Sequence, residues 1–417
     1  MIVELVAVGT ELLLGMIANT NAQYLSKQCS RLGMDLYHHT VVGDNEERIA
    51  EAINCALTRS DIIICTGGLG PTKDDITKEA IAKCQGLDLV EDATSRQMIE
   101  EYFSKKGIEP TENNWKQALV PQGCQVVIND NGTAPGIIIT TKENKKIILL
   151  PGPPSEMISM FENKIADYFE KMQETYFYSK MIKICGVGES KVATVIADLI
   201  DEQTNPTIAM YAKMGEVSVR VMSKASDRKS AKKIATPVIK EICKRFKSSV
   251  FTKTDSVNLE DAVVGLLREN DYTIAIAESC TGGMLASKLV AVPGASKCFE
   301  QGYITYANGA KQELLNVKKK TLKTYGAVSK ETAKEMAIGA MKAANSDVSV
   351  AITGIAGPQG GTEEKAVGLV YISCDIKGEC TTKEYNFDGD RTKIREQAVT
   401  RALIDVREAV LRYNNEI

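Results

Sequence analysis

Histidine is almost missing from this chain: two of its 417 residues carry an imidazole, His38 and His39, both far upstream. Unless the N-terminal part reaches across, a serine–histidine–aspartate triad is unavailable in the C-terminal half. A serine nucleophile there needs another base, and lysine is the usual substitute. The eleven cysteines contain no CxxC pair and no regular framework, which excludes a disulfide scaffold and reads as reduced thiols in a cytoplasm. No apolar run approaches the roughly 20 residues that span a bilayer. The opening Met1–Gly9 has a strand's pattern, without the basic lead and cleavage site of a secretory signal. An excess of one charge is also lacking. Lys plus Arg number 51 and Asp plus Glu 54, for a net charge of −3, so there is no electrostatic case for general nucleic-acid binding. What remains is an ordinary composition, 44% hydrophobic and 25% charged, in a chain long enough for two or three domains. The expectation is a soluble, cytoplasmic, multidomain protein.

Residues 1–170 alternate strand and helix patterns. Strands are expected at Ile2–Val8, Asp35–Val42, Asp61–Thr66, Gln125–Ile128, Gly136–Thr140 and Lys146–Leu150. Helices are expected at Thr20–Leu32, Asn45–Leu57, Asp75–Cys84, Ser95–Lys106 and Glu156–Lys171. That interleaving predicts a parallel, doubly wound α/β sheet. Residues 171–252 differ: strand Met181–Cys185, helix Glu189–Ile200, strands Thr207–Ala212 and Glu216–Ser223, then helix Ser230–Phe246, a small α+β module. The polar stretch Thr252–Ser256 reads as a linker. Asn258 then caps a helix with Leu259, Ala262, Val263, Leu266 and Leu267 at helical spacing. Residues 253–417 make a second α/β domain.

Chemistry concentrates at strand ends of that last domain. Ala277-Glu278-Ser279-Cys280-Thr281-Gly282-Gly283 joins an apolar strand to the helix pattern Met284–Val292. A hydroxyl and a thiol thus sit side by side on a strand-to-helix turn, where free N–H groups and a positive dipole end face a ligand. Such a turn suits a nucleophile attacking a carbonyl, because its amides can steady the oxyanion. Tyr303-Ile304-Thr305-Tyr306-Ala307-Asn308-Gly309-Ala310-Lys311 ends another strand and places Tyr306, Asn308 and Lys311 at a helix start. Thr353-Gly354-Ile355-Ala356-Gly357-Pro358 follows the buried strand Val348–Ile352, so backbone can approach a ligand there. Asp390-Arg391 closes the last strand, and Arg391 could clamp an anion bidentately. Loops after the carboxyl ends of strands meet at one edge of an open α/β sheet. Each turn alone also fits a plain tight turn or a solvated lysine; four at strand ends in one domain point to a site. Cys280 rivals Ser279 as nucleophile at this level.

In the first domain, Thr66-Gly67-Gly68-Leu69-Gly70-Pro71-Thr72-Lys73-Asp74-Asp75 follows a buried strand and enters a helix, so its amides can cradle a phosphate. Asp74 and Asp75 would repel that phosphate unless a divalent cation bridges them. The same acids also fit a helix N-terminus with favourable charges.

The combination AESCTGG, GYITYANGAK, GAVS, TGIAGPQGGTEEKAVGLVY and FDGDR resembles the C-terminal domain of the CinA family, which is similar to stand-alone nicotinamide mononucleotide (NMN) deamidases. The resemblance implies Ser279 as nucleophile, Tyr306 and Lys311 as its Ser/Lys-type partners, and Arg391 with Thr353, Gly354, Gly357 and Asn308 on the substrate. Thr353 stands where relatives often carry serine, and the hydroxyl is kept. No cofactor is implied at that site. Lys311 must be neutral to act as base, which burial or a nearby cation would bring about. The glycine-rich loop, with Gly9-Thr10-Glu11, Asn19-Thr20-Asn21, Gly132–Gly136 and the Pro151–Met157 box, resembles the molybdopterin-binding-like domain of the same family. That implies an ADP-ribose pyrophosphatase giving AMP and ribose 5-phosphate. Gly67, Gly68, Gly70, Thr72, Asn21 and Glu156 would line the substrate, and Asp74, Asp75 and Glu11 would hold a divalent metal such as magnesium. The middle module resembles a KH-type linker domain, yet Gly186-Val187-Gly188-Glu189 is a poor substitute for a basic GxxG clamp, so RNA binding is not expected. The resemblance also implies a homodimer. The rival reading is a competence- or DNA-damage-associated binding protein in which one or both sites bind nucleotide or pterin without turnover.

Overall fold

The computed structural model describes residues 1–172 and 175–416, and the chain divides into two compact units. The first comprises Met1–Phe177 with Ala225–Arg228. Its sheet has the strand order Asp35–Val42, Ile2–Val8, Ile62–Thr66, Lys146–Leu150, Gly136–Thr140, Gln125–Val127. All five residues of Ile62–Thr66 are buried, as a central strand covered on both faces requires. Side chains alternate. Val3, Leu5, Ile62 and Ile64 pack under helices Thr20–Arg31 and Pro154–Met160. Val6, Val8, Ile63 and Cys65 pack under Glu46–Arg59 and Thr77–Gln85 on the other face. The sheet is therefore doubly wound.

It is not parallel throughout. The first four strands run parallel, whereas Gly136–Thr140 and Gln125–Val127 are antiparallel to their neighbours. Residues 141–145 are too few for a parallel crossover, which needs a dozen or more residues, so that connection can only make a hairpin. Asn45, expected inside a helix, is its N-cap: its side chain accepts from the Arg48 amide at 3.1 Å. The helix expected over 156–171 starts at Pro154 and widens into a π turn at Phe161–Ile165. Two short strands, Leu89–Glu91 and Leu119–Pro121, and a 3₁₀ segment, Glu112–Ala118, carry no clear periodicity and were not anticipated.

The second unit comprises Tyr178–Lys224 and everything from Lys229 onward. Its first part is a four-stranded sheet in the order Thr207–Lys213, Glu216–Ala225, Tyr176–Cys185, Val250–Thr252, backed by helix Arg228–Phe246. The helix expected over 189–200 breaks at Ile196 into Glu189–Val195 and Ala197–Asp201. The Gly186–Glu189 loop packs toward the last helix: a β-carbon at Gly186 would lie 3.4 Å from Ile404.

The remaining five strands order as Phe299–Ile304, Ile274–Glu278, Val348–Gly354, Leu369–Ile376, Glu379–Asn386. The first three are parallel, and the last two are antiparallel to their neighbours. Helices Leu259–Glu269, Met284–Val290 and Arg391–Tyr413 cover one face. Asn308–Leu315, Lys319–Tyr325 and Lys330–Ala344 cover the other. Register places Glu278 beside Ile304 on one side and Ile352 on the other. The residues that follow, Ser279, Thr305 and Thr353, thus emerge together at one sheet edge. No helix among the described residues is long and apolar enough to cross a membrane.

Candidate active sites

The strand Ile274–Glu278 is buried along its whole length. It reverses into helix Met284–Val290 through Gly282 at φ 59° and Gly283 at φ 95°, left-handed conformations that favour glycine. Ser279 is tied down by its own amide, which donates to the Ile352 carbonyl at 3.0 Å. Its hydroxyl meets Lys311.

Lys311 sits one turn into helix Asn308–Leu315 and is fully buried. Its Nζ lies 3.0 Å from Ser279 Oγ, 2.7 Å from the Thr305 carbonyl and 3.2 Å from the Tyr306 carbonyl. Burial disfavours the ammonium form and pulls the lysine from 10.5 down to about 8. A neutral amine has two N–H groups and one lone pair. The two carbonyls can only accept, so they take the N–H groups and leave the lone pair for the Ser279 hydroxyl. The arrangement is that of a base aimed at a nucleophile.

Cys280 is also buried, and burial pushes its thiol up to about 11. At neutral pH it stays protonated, which removes the thiolate that would make it the better nucleophile.

The helix-terminal amides expected to face a ligand are filled from inside. Glu278 is buried, and its carboxylate accepts from the amides of Gly283 at 3.0 Å, Leu285 at 3.2 Å and Ala286 at 2.9 Å. An acid on the positive end of a helix is well placed, but it consumes those donors. The amides of Cys280, Thr281 and Gly282 donate to no protein acceptor among the described residues.

The other expected residues divide. Tyr306 contributes its carbonyl to Lys311, while its exposed phenol accepts from Arg391 Nη2 at 3.5 Å. Arg391 Nη1 donates to the Gly357 carbonyl at 2.7 Å. The structure thus brings Tyr306, Gly357 and Arg391 together. The Thr353 hydroxyl is buried and donates to the Ala327 carbonyl at 2.7 Å, so it holds a loop. Gly354 is demanded by packing, since a β-carbon there would lie 2.6 Å from Val370 Cγ2. Asn308 is exposed at the first turn of the Lys311 helix.

Two residues escaped the sequence reading. Glu278 stands inside the motif but reads as an ordinary strand-end acid. Arg395, one helical turn beyond Arg391, donates from Nε to the Cys280 carbonyl at 3.0 Å and from Nη2 to the Thr281 carbonyl at 2.8 Å. Its spacing of four from Arg391 was the only available signal.

In the first unit, the glycine-rich loop lines a cavity of about 680 Å³. Glu11, Asn21, Asp44, Gly67, Gly68, Gly70, Asp74, Asp75, Gln117 and Glu156 all contribute to its wall. Among the described residues the lining includes five carboxylates and no lysine, arginine or histidine. Gly68 turns at φ 65°, and a β-carbon there would stand 2.0 Å from Thr77 Oγ1, so the loop's own closure requires glycine. The Asn21 amide donates to the Gly152 carbonyl at 2.7 Å, while its buried Oδ1 has no partner. Gln117 likewise donates to the Leu69 carbonyl and leaves a buried Oε1 unpaired. Glu156 accepts from Asn129 Nδ2 at 2.7 Å, and burial raises its carboxyl.

The expected metal set fits loosely. Among the described residues no three acidic, imidazole or thiol groups stand close enough to enclose an ion. Asp75 is engaged locally: its carboxylate accepts from the Thr72 amide at 2.9 Å and from the Thr72 hydroxyl. Glu11 and Asp74 line the cavity without converging with it into a three-carboxylate cage. Hard oxygen donors used one or two at a time suit magnesium, which keeps waters and takes the rest of its ligands from substrate phosphates.

The chain matches the probable molybdopterin binding domain over residues 4–171, the damage-inducible protein CinA KH domain over 179–252 and the CinA C-terminal domain over 256–410. A competence-damage inducible protein of Clostridium beijerinckii is 50% identical over 409 residues, covering 98% of this chain and 99% of its own. One from Clostridium novyi is 49% identical over 410 residues, covering 98% of each. The crystal structure of competence/damage inducible protein CihA from Agrobacterium tumefaciens is 39% identical, covering 36% of this chain and 93% of its own with a TM-score of 0.36.

Proposed function

The chain belongs to the CinA family of competence-damage inducible proteins, and from that membership we propose that it is a hydrolase of two NAD-derived nucleotides. In its C-terminal domain it converts NMN and water to nicotinate mononucleotide and ammonia. The observation that carries this reading is the buried Lys311, its ammonium form disfavoured by burial, held 3.0 Å from the Ser279 hydroxyl.

Neutral Lys311 takes the hydroxyl proton as Ser279 Oγ bonds to the carboxamide carbon. The carbonyl oxygen becomes an oxyanion, and unpartnered turn amides stabilise it. Lys311 returns the proton to the departing nitrogen, ammonia leaves, and Ser279 carries a nicotinyl ester. Water, deprotonated by the same lysine, adds to the ester, and collapse releases the acid and restores the hydroxyl. Arg391 has guanidinium donors beyond the one given to Gly357 and would hold the substrate phosphate. The test is ammonia release from NMN by the full chain with EDTA present, beside Ser279→Ala. Release that depends on Ser279 and ignores EDTA supports the reading. No release from wild type leaves the domain as a binding module.

A second activity, hydrolysis of ADP-ribose to AMP and ribose 5-phosphate, is proposed for the first unit. Its support is the cation-free, carboxylate-rich cavity beside a glycine loop, with two unpaired buried amide oxygens in or behind its wall. A diphosphate entering alone would meet five lining carboxylates with no lining cation to offset them. Glu11 and Asp74, with Asp75 if it releases Thr72, would hold the divalent ion, which when bound neutralises the diphosphate and polarises its phosphorus. The loop 67–70 borders the diphosphate, and Asn21 and Gln117 offer acceptors for ribose or base donors. Metal-dependent AMP release from ADP-ribose tests this activity separately.

A further inference from the structure

Arg395 has a use that its position on a long helix conceals. Its guanidinium binds two successive carbonyls of the nucleophile turn, those of Cys280 and Thr281, at 3.0 and 2.8 Å. In a trans peptide the C=O of one residue and the N–H of the next point in opposite directions, and neither linkage here is cis. Both carbonyls face Arg395, so the N–H groups of Thr281 and Gly282 face away from it. These donors have no protein acceptor among the described residues.

The opposite side is where the chemistry lies. Arg395 reaches the turn from the helix layer that packs Ile394, Ala398 and Leu285 on one face of the sheet. Lys311 reaches Ser279 from the layer of Leu315 and Met336 on the other face. Glu278 meanwhile occupies the amides of Gly283, Leu285 and Ala286, so the oxyanion donors cannot be the helix end itself. Successive N–H groups leading into the left-handed Gly282 form the kind of concave nest that binds anions.

Resting on the amidase reading above, we propose that Arg395 is a positioning residue: it fixes the Cys280–Thr281 and Thr281–Gly282 peptides so that the Thr281 and Gly282 amides are the oxyanion donors for attack by Ser279. The guanidinium also polarises both peptides, which strengthens the two donors as charge develops.

The test uses Arg395→Met and Arg395→Lys in the full chain. In Arg395→Met, kcat for ammonia release from NMN falls about a hundredfold with KM within about threefold of wild type. Arg395→Lys, with one donor direction in place of two, recovers part of the loss. Pyridine-3-boronic acid, which closes to a tetrahedral anion on a serine oxygen, binds Arg395→Met about a hundredfold more weakly, while nicotinamide binds it as it binds wild type. A residue that only holds the fold would lower both affinities together. Should Arg395→Met fail to fold, the same split is read on Arg395→Lys. Unchanged kcat, or equal boronate affinity in variant and wild type, overturns the proposal. If wild type binds boronate through Ser279 but releases no ammonia from NMN, a weakened Arg395 variant keeps this proposal and only the substrate assignment falls. If wild type binds no boronate, both fall.

Discussion

Lys311 Nζ and Ser279 Oγ lie 3.0 Å apart, and the lysine reaches the serine while its remaining contacts are two backbone carbonyls. No carboxylate among the described residues pairs with the ammonium, so the cost of burial prevails. The same geometry that makes Lys311 costly as a cation makes it useful as a base. Lys311→Met should therefore reduce ammonia release by about 10³-fold or more while changing NMN affinity little. Single-turnover rates beside calorimetric Kd values separate the two effects. A large loss of affinity with intact chemistry would instead make Lys311 a binding residue.

The depressed lysine sets a pH dependence. In the proposed mechanism only the neutral amine is active, so kcat should rise with pH through a midpoint near 8 and fall tenfold per pH unit well below it. The stability effect has its own sign. Unfolded Lys311 holds its proton up to about 10.5 and folded Lys311 only to about 8, so the unfolded state binds more protons between those values and stability rises with pH across that window. The penalty is full below pH 8 and gone above 10.5. Thermal melts of wild type and Lys311→Met should therefore differ most at neutral pH, with the variant favoured, and converge as the pH is raised. A kcat midpoint near 6 would implicate a different group.

Arg391 is bound to the Gly357 carbonyl and the Tyr306 phenol, both on loops at the same sheet edge. Arg391→Ala should raise KM for NMN about 10- to 100-fold with a smaller effect on kcat, because the phosphate lies away from the reacting carbon. Nicotinamide, which has no phosphate, should bind variant and wild type alike. Equal losses for both ligands would place Arg391 in the fold rather than on the phosphate.

The two activities should separate genetically. Asp74→Asn removes a cavity-lining carboxylate that the local turn does not use, in contrast to Asp75 with its bonds to Thr72. AMP release from ADP-ribose should fall by about 10²-fold or more and its apparent magnesium requirement should rise, while ammonia release stays unchanged. Asp75→Asn should in addition loosen the loop, seen as a lower melting temperature. An Asp74→Asn chain with full, magnesium-independent AMP release would remove the metal assignment.

Much of this was legible because strand-end turns leave local signatures. Ser279 sits on a turn, and Lys311 in the helix after another, whose strands are neighbours in a parallel sheet, and parallel strands bring their carboxyl ends to one edge. Features made by closure of the fold were not legible. Glu278 reads as a strand-end acid until the turn folds back and offers three amides. Arg395 reads as a solvated helix residue until its helix packs beside the turn. Tyr306 is implied as a partner of Ser279 and Lys311, but that the loop brings its carbonyl to Lys311 and its phenol to Arg391 was not legible. The adjacent pair Asp74-Asp75 suggested a metal clamp, but the bonds by which the Thr72 amide and hydroxyl hold Asp75 were not legible. The hairpin that ends the first sheet's parallel run was written in a connection too short for a crossover.

The proposed intermediate is a covalent ester on Ser279, and hydroxylamine is the trap for it. Added to wild type turning over NMN, it should divert the ester to the hydroxamate of nicotinate mononucleotide while ammonia release continues at its usual rate or faster. Cys280→Ala should give the same partition, and Ser279→Ala should give neither product. Ammonia release with no hydroxamate at any hydroxylamine concentration would mean that water attacks NMN directly, and a hydroxamate lost in Cys280→Ala but kept in Ser279→Ala would move the nucleophile to the thiol.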